Sequence, residues 1–224
     1  MNGIVSGSLT DGHKLPPEVQ LAEMFSVSRS TIREALRSLA SAGLIEKIPG
    51  ATGGSFVRRL DAQRFGAQIA DLMDLLIKVG TAERDDVIAV RAMLEIPACR
   101  LAAENRTDQH LEALRSILHA ERSTSVEAPD VPELDISFHG TIAAASGNTV
   151  LGSLVHALHS VTDPVRSVEL SEEAGRQTVR QHSDIVQAIA DRDPDAAETA
   201  IRAHLDYLEQ LRSREFQSTS ASKR

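Results

Sequence analysis

Residues 16–57 read PPEVQLAEMFSVSRSTIREALRSLASAGLIEKIPGATGGSFV, and this stretch decides the fold. A first short helix is expected from about Pro17 to Phe25, with Leu21 and Phe25 as its apolar stripe. Val27 and Ser28 make a tight connection. A second helix is expected from about Arg29 to Ala42. Ser28 is placed to cap it and Gly43 to stop it, and Ile32, Leu36 and Leu39 recur at helical spacing as its buried face. Two short helices joined by so short a turn form a helix-turn-helix. Beyond it, Leu44, Ile45 and Ile48 read as one strand and Ser55 to Arg58 as another. Pro49, Gly50, Gly53 and Gly54 lie between them, as a hairpin turn requires. Helix, helix and a two-stranded hairpin make the winged form of the motif.

Working outward, the pattern changes at Asp61. Helices are expected near 62–79, 84–104, 107–121, 129–147, 149–161, 171–191 and 194–215, with short separators such as Gly80, Gly147-Asn148 and Asp193-Pro194. No strand pattern appears there. The expected organisation is a winged helix-turn-helix domain over 1–60, mostly α with a two-stranded wing, then a linker and connecting helix over 61–80. An all-α antiparallel helical bundle follows over 81–216, and a flexible tail over 217–224.

Composition agrees with this layout. Aromatic residues make up only 3% of 224 residues and there is no Trp, so the cores must be aliphatic and Ala-rich, which suits helices. The single Cys99 excludes an intrachain disulfide and a multi-thiolate metal site, and it sits in an apolar run as a buried small residue. There is no apolar stretch of spanning length and no signal-peptide pattern, so no membrane partner is expected and a cytoplasmic location is. The net charge of −8 argues weakly against nucleic acid, but residues 1–60 carry +2 and residues 61–224 carry −10. A small basic unit on an acidic one is compatible with localised phosphate binding.

Two constellations carry chemistry. Arg29, Ser30, Thr31 and Arg33 occupy the first turn and first face of the second helix, where a recognition helix reads base edges in the major groove. Arg37 continues that face as a phosphate contact. Gly53 and Gly54 at the wing tip let backbone approach DNA, and Arg58 and Arg59 stand at the wing base. The spacing alone leaves open that Arg33 and Arg37 are surface charges paired to acids. A domain this small needs two half-sites for specificity, so a homodimer on near-palindromic double-stranded DNA is expected. The second constellation is Asp135 and His139, four apart on one helix, with His182 and His204 on later helices. One carboxylate and three imidazoles make a good nitrogen and oxygen set for a divalent ion, though sequence distance does not bring them together.

These segments resemble the GntR family of bacterial transcription regulators: the Leu-Ala pair, the Val-Ser-Arg turn, the Arg-Glu-Ala-Leu helix, Gly-Leu-Ile and the Gly-rich wing. VRAMLEIPACRLAA, DISFHGTIAAASGN and QHSDIVQAIADRDPDAAETAIRAHL resemble the FCD effector domain of its FadR-like subgroup, and the seven-helix count matches that subgroup. The chain departs from the family in beginning just before Gly7-Ser8-Leu9, so the usual first helix is missing or truncated. The resemblance implies DNA binding, a homodimer, repression and a bacterial, nucleoid-associated protein. It implies that Asp135, His139, His182 and His204 ligate a divalent metal, zinc first, with nickel or manganese accepted by the same donors. It further implies that Arg91 binds the carboxylate of a small acid effector, and Asn148 matches another effector-site position. For Arg91 the residues allow a second reading, an ion pair with Glu95 one turn on. His110, His119, His156 and His159 match no family ligand and are expected as surface or packing residues. No nucleophile-and-base set is present, so an enzyme is not expected. A metal-dependent enzyme and a helical interaction module without a small ligand are the competing classes.

Overall fold

The computed structural model describes Gly3 and residues 8–50, 52–58, 61–162 and 171–222. The chain divides into two units, Met1–Asp61 and Ala62–Arg224. The truncated first helix of the sequence reading falls, Gly3 apart, outside the described residues, as does Arg59.

In the first unit α1 (Glu18–Phe25) and α2 (Arg29–Ser41) precede β1 (Ile45–Ile48) and β2 (Gly54–Val57). Ser28 caps α2 as its sequence position requires, its Oγ accepting from Thr31 N at 3.1 Å. Leu21, Ala22, Ile32, Leu36 and Ile45 form one small core, with Leu39 partly buried against it. Phe25, expected in the α1 stripe, is instead 64% exposed. The helix ends at that residue and Ser26, at φ 53, turns the chain away before the ring can reach α2. The strands pair antiparallel with Ile45 opposite Val57 and Ile48 opposite Gly54. A bridge from Lys14 to Phe56 adds a third short edge that the sequence did not signal.

The second unit holds seven helices among the described residues: α3 (Ala62–Lys78), α4 (Arg84–Asn105), α5 (Asp108–Ser123), α6 (Val131–Ala145), α7 (Thr149–Thr162), α8 (Glu172–Ala190) and α9 (Pro194–Ser222). Their boundaries follow the punctuation in the sequence. Thr107 and His110 cap α5 reciprocally, Ser171 caps α8, and Gly80 and Gly147 take φ values of 72° and 76° beyond the ends of α3 and α6. The main core draws Cys99, Ala102 and Ala103 from α4, Leu111, Leu114 and Leu118 from α5, Phe138 and Ile142 from α6, Ile185 and Ile189 from α8 and Ile201 from α9. Cys99 is fully buried, as its apolar neighbours implied. Against α7, α3 comes so close that a Cβ on Gly66 would lie 2.9 Å from Ser153 O. The last helix corrects one expectation: it continues to Ser222, so residues 217–222 are helical where a flexible tail was expected. After Pro194 no Gly or Pro interrupts that run.

Candidate metal centre and nucleic-acid interface

Burial of a histidine is costly unless both ring nitrogens are used, so the buried imidazoles of the second unit call for an accounting. His139 on α6, His182 on α8 and His204 on α9 are all buried, and so is Asp135, one turn before His139. One ligating atom from each of the three imidazoles lies within 4.8 Å of those of the other two. Asp135 Oδ1 lies 3.7 Å from His139 Nε2. The three histidines singled out in the sequence therefore sit around one point, with Asp135 beside His139, although 69 positions separate Asp135 from His204.

The outer contacts define the chemistry. His139 Nδ1 is 2.7 Å from Glu95 Oε2, His182 Nδ1 is 2.9 Å from Glu121 Oε2, and His204 Nδ1 is 3.3 Å from Gln181 Oε1. At His182 and His204 the partner accepts, so Nδ1 carries the proton and donates, while His139 Nδ1 faces the Glu95 carboxylate as an ion-pair contact that favours the proton on the same nitrogen. Each Nε2 is then left with a bare lone pair. The Nε2 atoms of all three residues, together with Asp135 Oδ2, are buried with no hydrogen-bond partner among the described residues. Three inward lone pairs, each oriented by an outer acceptor, with a carboxylate beside them, form the arrangement that orients histidine ligands on a metal. The donor set fits zinc and its borderline neighbours.

Electrostatics favour the ligating state of His139, His204 and Asp135. Burial lowers the His139 pKa, only partly offset by Glu95. Burial, then His182 and His139, push His204 well below the ordinary imidazole range. Burial alone would raise Asp135, but the close His159 and the other imidazoles outweigh it and hold the carboxyl below its usual range. Glu95 is also held anionic: burial opposes this, and Arg91, His159 and His139 prevail.

His159 and Glu95 were not singled out as site residues, and both belong to this cluster. His159 is fully buried. Its Nε2 lies 3.0 Å from Glu95 Oε1 and 3.1 Å from Arg91 Nη2, and its Nδ1 lies 3.6 Å from Asp135 Oδ2. Its pKa is raised: burial and Arg91 press it down, and Glu95 and Asp135 more than compensate. Arg91 is paired with Glu95, its Nε donating to Oε1 at 2.7 Å, and its guanidinium is nearly inaccessible. Asn148 accepts from Leu151 N at 3.1 Å and so caps α7. It lines neither cavity beside the cluster.

Those two cavities lie on different sides of the polar cluster. One, of 370 Å³, opens between α5, α6 and α8 and reaches Asp135, His182 and Glu121. The other, of 300 Å³, lies between α4 and α9 and reaches Arg91.

In the first unit, α2 presents a face separate from its buried stripe. Arg29 is exposed and makes no ion pair among the described residues. Ser30 and Thr31 share the Ser28 hydroxyl. Arg33 donates twice to Glu18 at 3.1 Å, and Arg37 meets Glu34 at 3.3 Å. Both pairs are open to solvent and so hold the arginines only weakly. Arg58 is paired to Glu46 across the wing. At the wing turn Gly53 has no room for a side chain, since a Cβ would lie 2.1 Å from Ile48 O, and Gly54 adopts φ 152°.

Comparison with known proteins gives a consistent result. Residues 2–57 match the bacterial regulatory proteins of the gntR family, and residues 86–207 match the FCD domain. The chain is 30% identical over 220 residues to the HTH-type transcriptional regulator LutR of Bacillus subtilis (strain 168), covering 96% of this chain and 98% of that one. It is 31% identical over 217 residues to the Glc operon transcriptional activator of Escherichia coli (strain K12), covering 90% and 81%. Among solved structures, Streptococcus agalactiae GntR superposes with a TM-score of 0.71 at 28% identity, over 93% of this chain and 94% of that one.

Proposed function

From the premise that this chain belongs to the GntR family of bacterial transcription regulators and carries an FCD domain, we propose that it is an operator-binding repressor whose DNA affinity is set by a small organic acid bound beside a divalent metal. That it is a transcription regulator, not an enzyme, follows from the family. The finer reading rests on one observation above all: three buried Nε2 lone pairs converge beside Asp135, each histidine held from behind by Glu95, Glu121 or Gln181.

Asp135, His139, His182 and His204 would hold the ion, zinc in the first instance, with nickel and manganese acceptable to the same donors. When bound, the ion supplies a fixed positive charge that attracts a carboxylate. Arg91 is read as a positioning residue that holds Glu95 against His139 and His159, because its Nε and Nη2 are already committed. On DNA, Arg29 and Arg33 would read base edges with Ser30 and Thr31 beside them. Arg37, Arg58 and the backbone of Gly53 and Gly54 would meet phosphates. Exchange of a solvent-exposed carboxylate for a phosphate costs Arg33 and Arg37 little.

A homodimer on a near-palindromic site completes the proposal. Leu72, Leu75, Leu76 and Val79, exposed at helical spacing along the end of α3, supply an apolar stripe that a second copy would bury. The working location is the bacterial cytoplasm. Repression is the proposed sign because a dimer seated on a promoter excludes polymerase. The relative named as an activator shows that the sign must be measured for this chain.

The test is operator binding by full-length protein, with and without bound metal and with a panel of small acids. The proposal requires that some acid change DNA affinity only when the metal site is loaded. DNA affinity indifferent to every acid that binds the protein would refute it, since a ligand can shift an equilibrium only by its differential affinity for the two states.

A further inference from the structure

The 370 Å³ cavity over Asp135 and His182 is polar at its inner end and at its rim and apolar between them. Its inner end carries the carboxylate of Asp135, the His182 imidazole and Glu121 behind it. Its walls are Val126, Val131, Leu134 and Val179. The two hydroxyls on the wall have committed their protons, leaving them only as acceptors: Thr178 Oγ1 donates to Ala174 O at 3.1 Å and Thr124 Oγ1 to Ala120 O at 2.8 Å. A ligand bearing several hydroxyls would bury those that face Val126, Val131, Leu134 and Val179 against methyl groups, and each buried polar group without a partner costs binding energy. The wall also stands close: at Gly175 a Cβ would lie 2.1 Å from Val126 Cγ1, so a larger residue there would close this side. At about 30 Å³ per water-sized group, the space holds about a dozen non-hydrogen atoms.

The rim is cationic. Arg122, Arg176 and Arg180 stand there exposed; Arg176 and Arg180 are paired with Glu172 and Glu173, whereas Arg122 donates to the Ser183 hydroxyl at 2.9 Å with no carboxylate partner among the described residues. Such a rim draws anions in. The cavity on the Arg91 side sets Asp85, Asp206 and Glu209 beside Arg91 and Arg212 on its wall, so its acids outnumber its cations.

We infer that the ligand of this site is a carboxylic acid with an apolar body, taken up between α5, α6 and α8 with its carboxylate toward Asp135 and His182, and that polyhydroxylated acids are excluded. The inference rests on the metal reading above, because only a bound cation makes an anion welcome beside Asp135.

Calorimetric titration of the zinc-loaded full chain with hexanoate, phenylacetate and gluconate tests it. Hexanoate and phenylacetate bind at least tenfold tighter than gluconate. Val179→Thr, which keeps the shape and adds a hydroxyl, weakens hexanoate about threefold to tenfold and leaves gluconate unchanged. Val126→Thr does the same from the opposite wall, which guards against a local packing defect in one variant. Gluconate binding as tightly as hexanoate, no binding by either apolar acid, or hexanoate affinity indifferent to both substitutions overturns the inference. Chelator-stripped protein separates the two readings. Hexanoate binding that is sensitive to Val179 but survives metal removal keeps the apolar cavity and removes the metal from it. Zinc held tightly without preference for apolar acids keeps the metal and removes the inference.

Discussion

Glu121→Gln isolates the outer support of one proposed metal ligand without changing its shape. Both Glu121 oxygens lie about His182 Nδ1, at 3.0 and 2.9 Å, and the side chain is only 8% exposed. The glutamine retains an acceptor, so the ring stays oriented, but the negative charge behind it is lost. A hydrogen bond to a charged group contributes about 1.5–3 kcal/mol, and outer-shell substitutions at metal-bound histidines typically reduce metal affinity about 10- to 100-fold. The expected loss is thus about 1.4–2.7 kcal/mol of metal binding. Competition against a chromophoric chelator measures it, with Glu112→Gln on the exposed face of the same helix as the control. Zinc affinity within twofold of the unsubstituted protein, with the helical content retained, would refute the claim that Glu121 supports His182 as a ligand.

Other consequences follow from the same geometry. Arg29→Ala should weaken operator binding by about 1–3 kcal/mol and relax specificity at one base position, whereas Arg37→Ala should weaken binding to all sequences alike and lower the salt slope by about one; anisotropy titrations on operator and scrambled DNA distinguish the two. Gly53→Ala should destabilise the first unit by on the order of 2 kcal/mol in urea unfolding, because its Cβ would collide with Ile48 O. In metal-free protein, His139 and His204 have lowered pKa values, so below about pH 6.5 the unfolded chain takes up protons that the folded one refuses, and stability falls with pH. His159, with its raised pKa, acts in the opposite sense: its contribution is present below about pH 6.5 and is lost as pH rises through its folded value. Each lowered imidazole adds up to about 1.4 kcal/mol per pH unit to the acid limb. His204→Gln should accordingly make that limb shallower in urea midpoints measured with chelator present, and an unchanged limb would show that His204 is not held neutral.

The parts of this molecule that were legible in sequence are those governed by local rules. The α2 stripe of Ile32, Leu36 and Leu39, the Ser28 cap and the glycines of the wing each announce their structure within a few residues. Cys99 was legible as buried from its apolar neighbours alone. The grouping of Asp135, His139, His182 and His204, the proposed ligands, was legible only through family resemblance, since nothing in their spacing says that α6, α8 and α9 meet. Glu121, Gln181 and His159 escaped for the same reason in stronger form. Glu121 lies 61 residues from His182, and His159 lies 64 from Glu95, and neither a period nor a motif links the members of either pair. His204 and Gln181 are brought together only by the packing of α9 on α8. Arg91 could be read either way because Glu95 is one turn on; it is paired with Glu95 and also lines the cavity between α4 and α9, so the pairing does not by itself choose between the readings. Phe25 misled because periodicity does not show where a short helix stops.

The most direct test of the account is the metal content of the full chain as purified, by inductively coupled plasma mass spectrometry, repeated for His182→Gln and His204→Gln after zinc reconstitution and desalting. The account predicts about one divalent ion per chain, the stoichiometry expected when three imidazoles and a carboxylate close on one ion, and its loss in both variants with the helical fold intact. A chain that retains no ion after reconstitution, or variants that hold it as tightly as the parent, would contradict it.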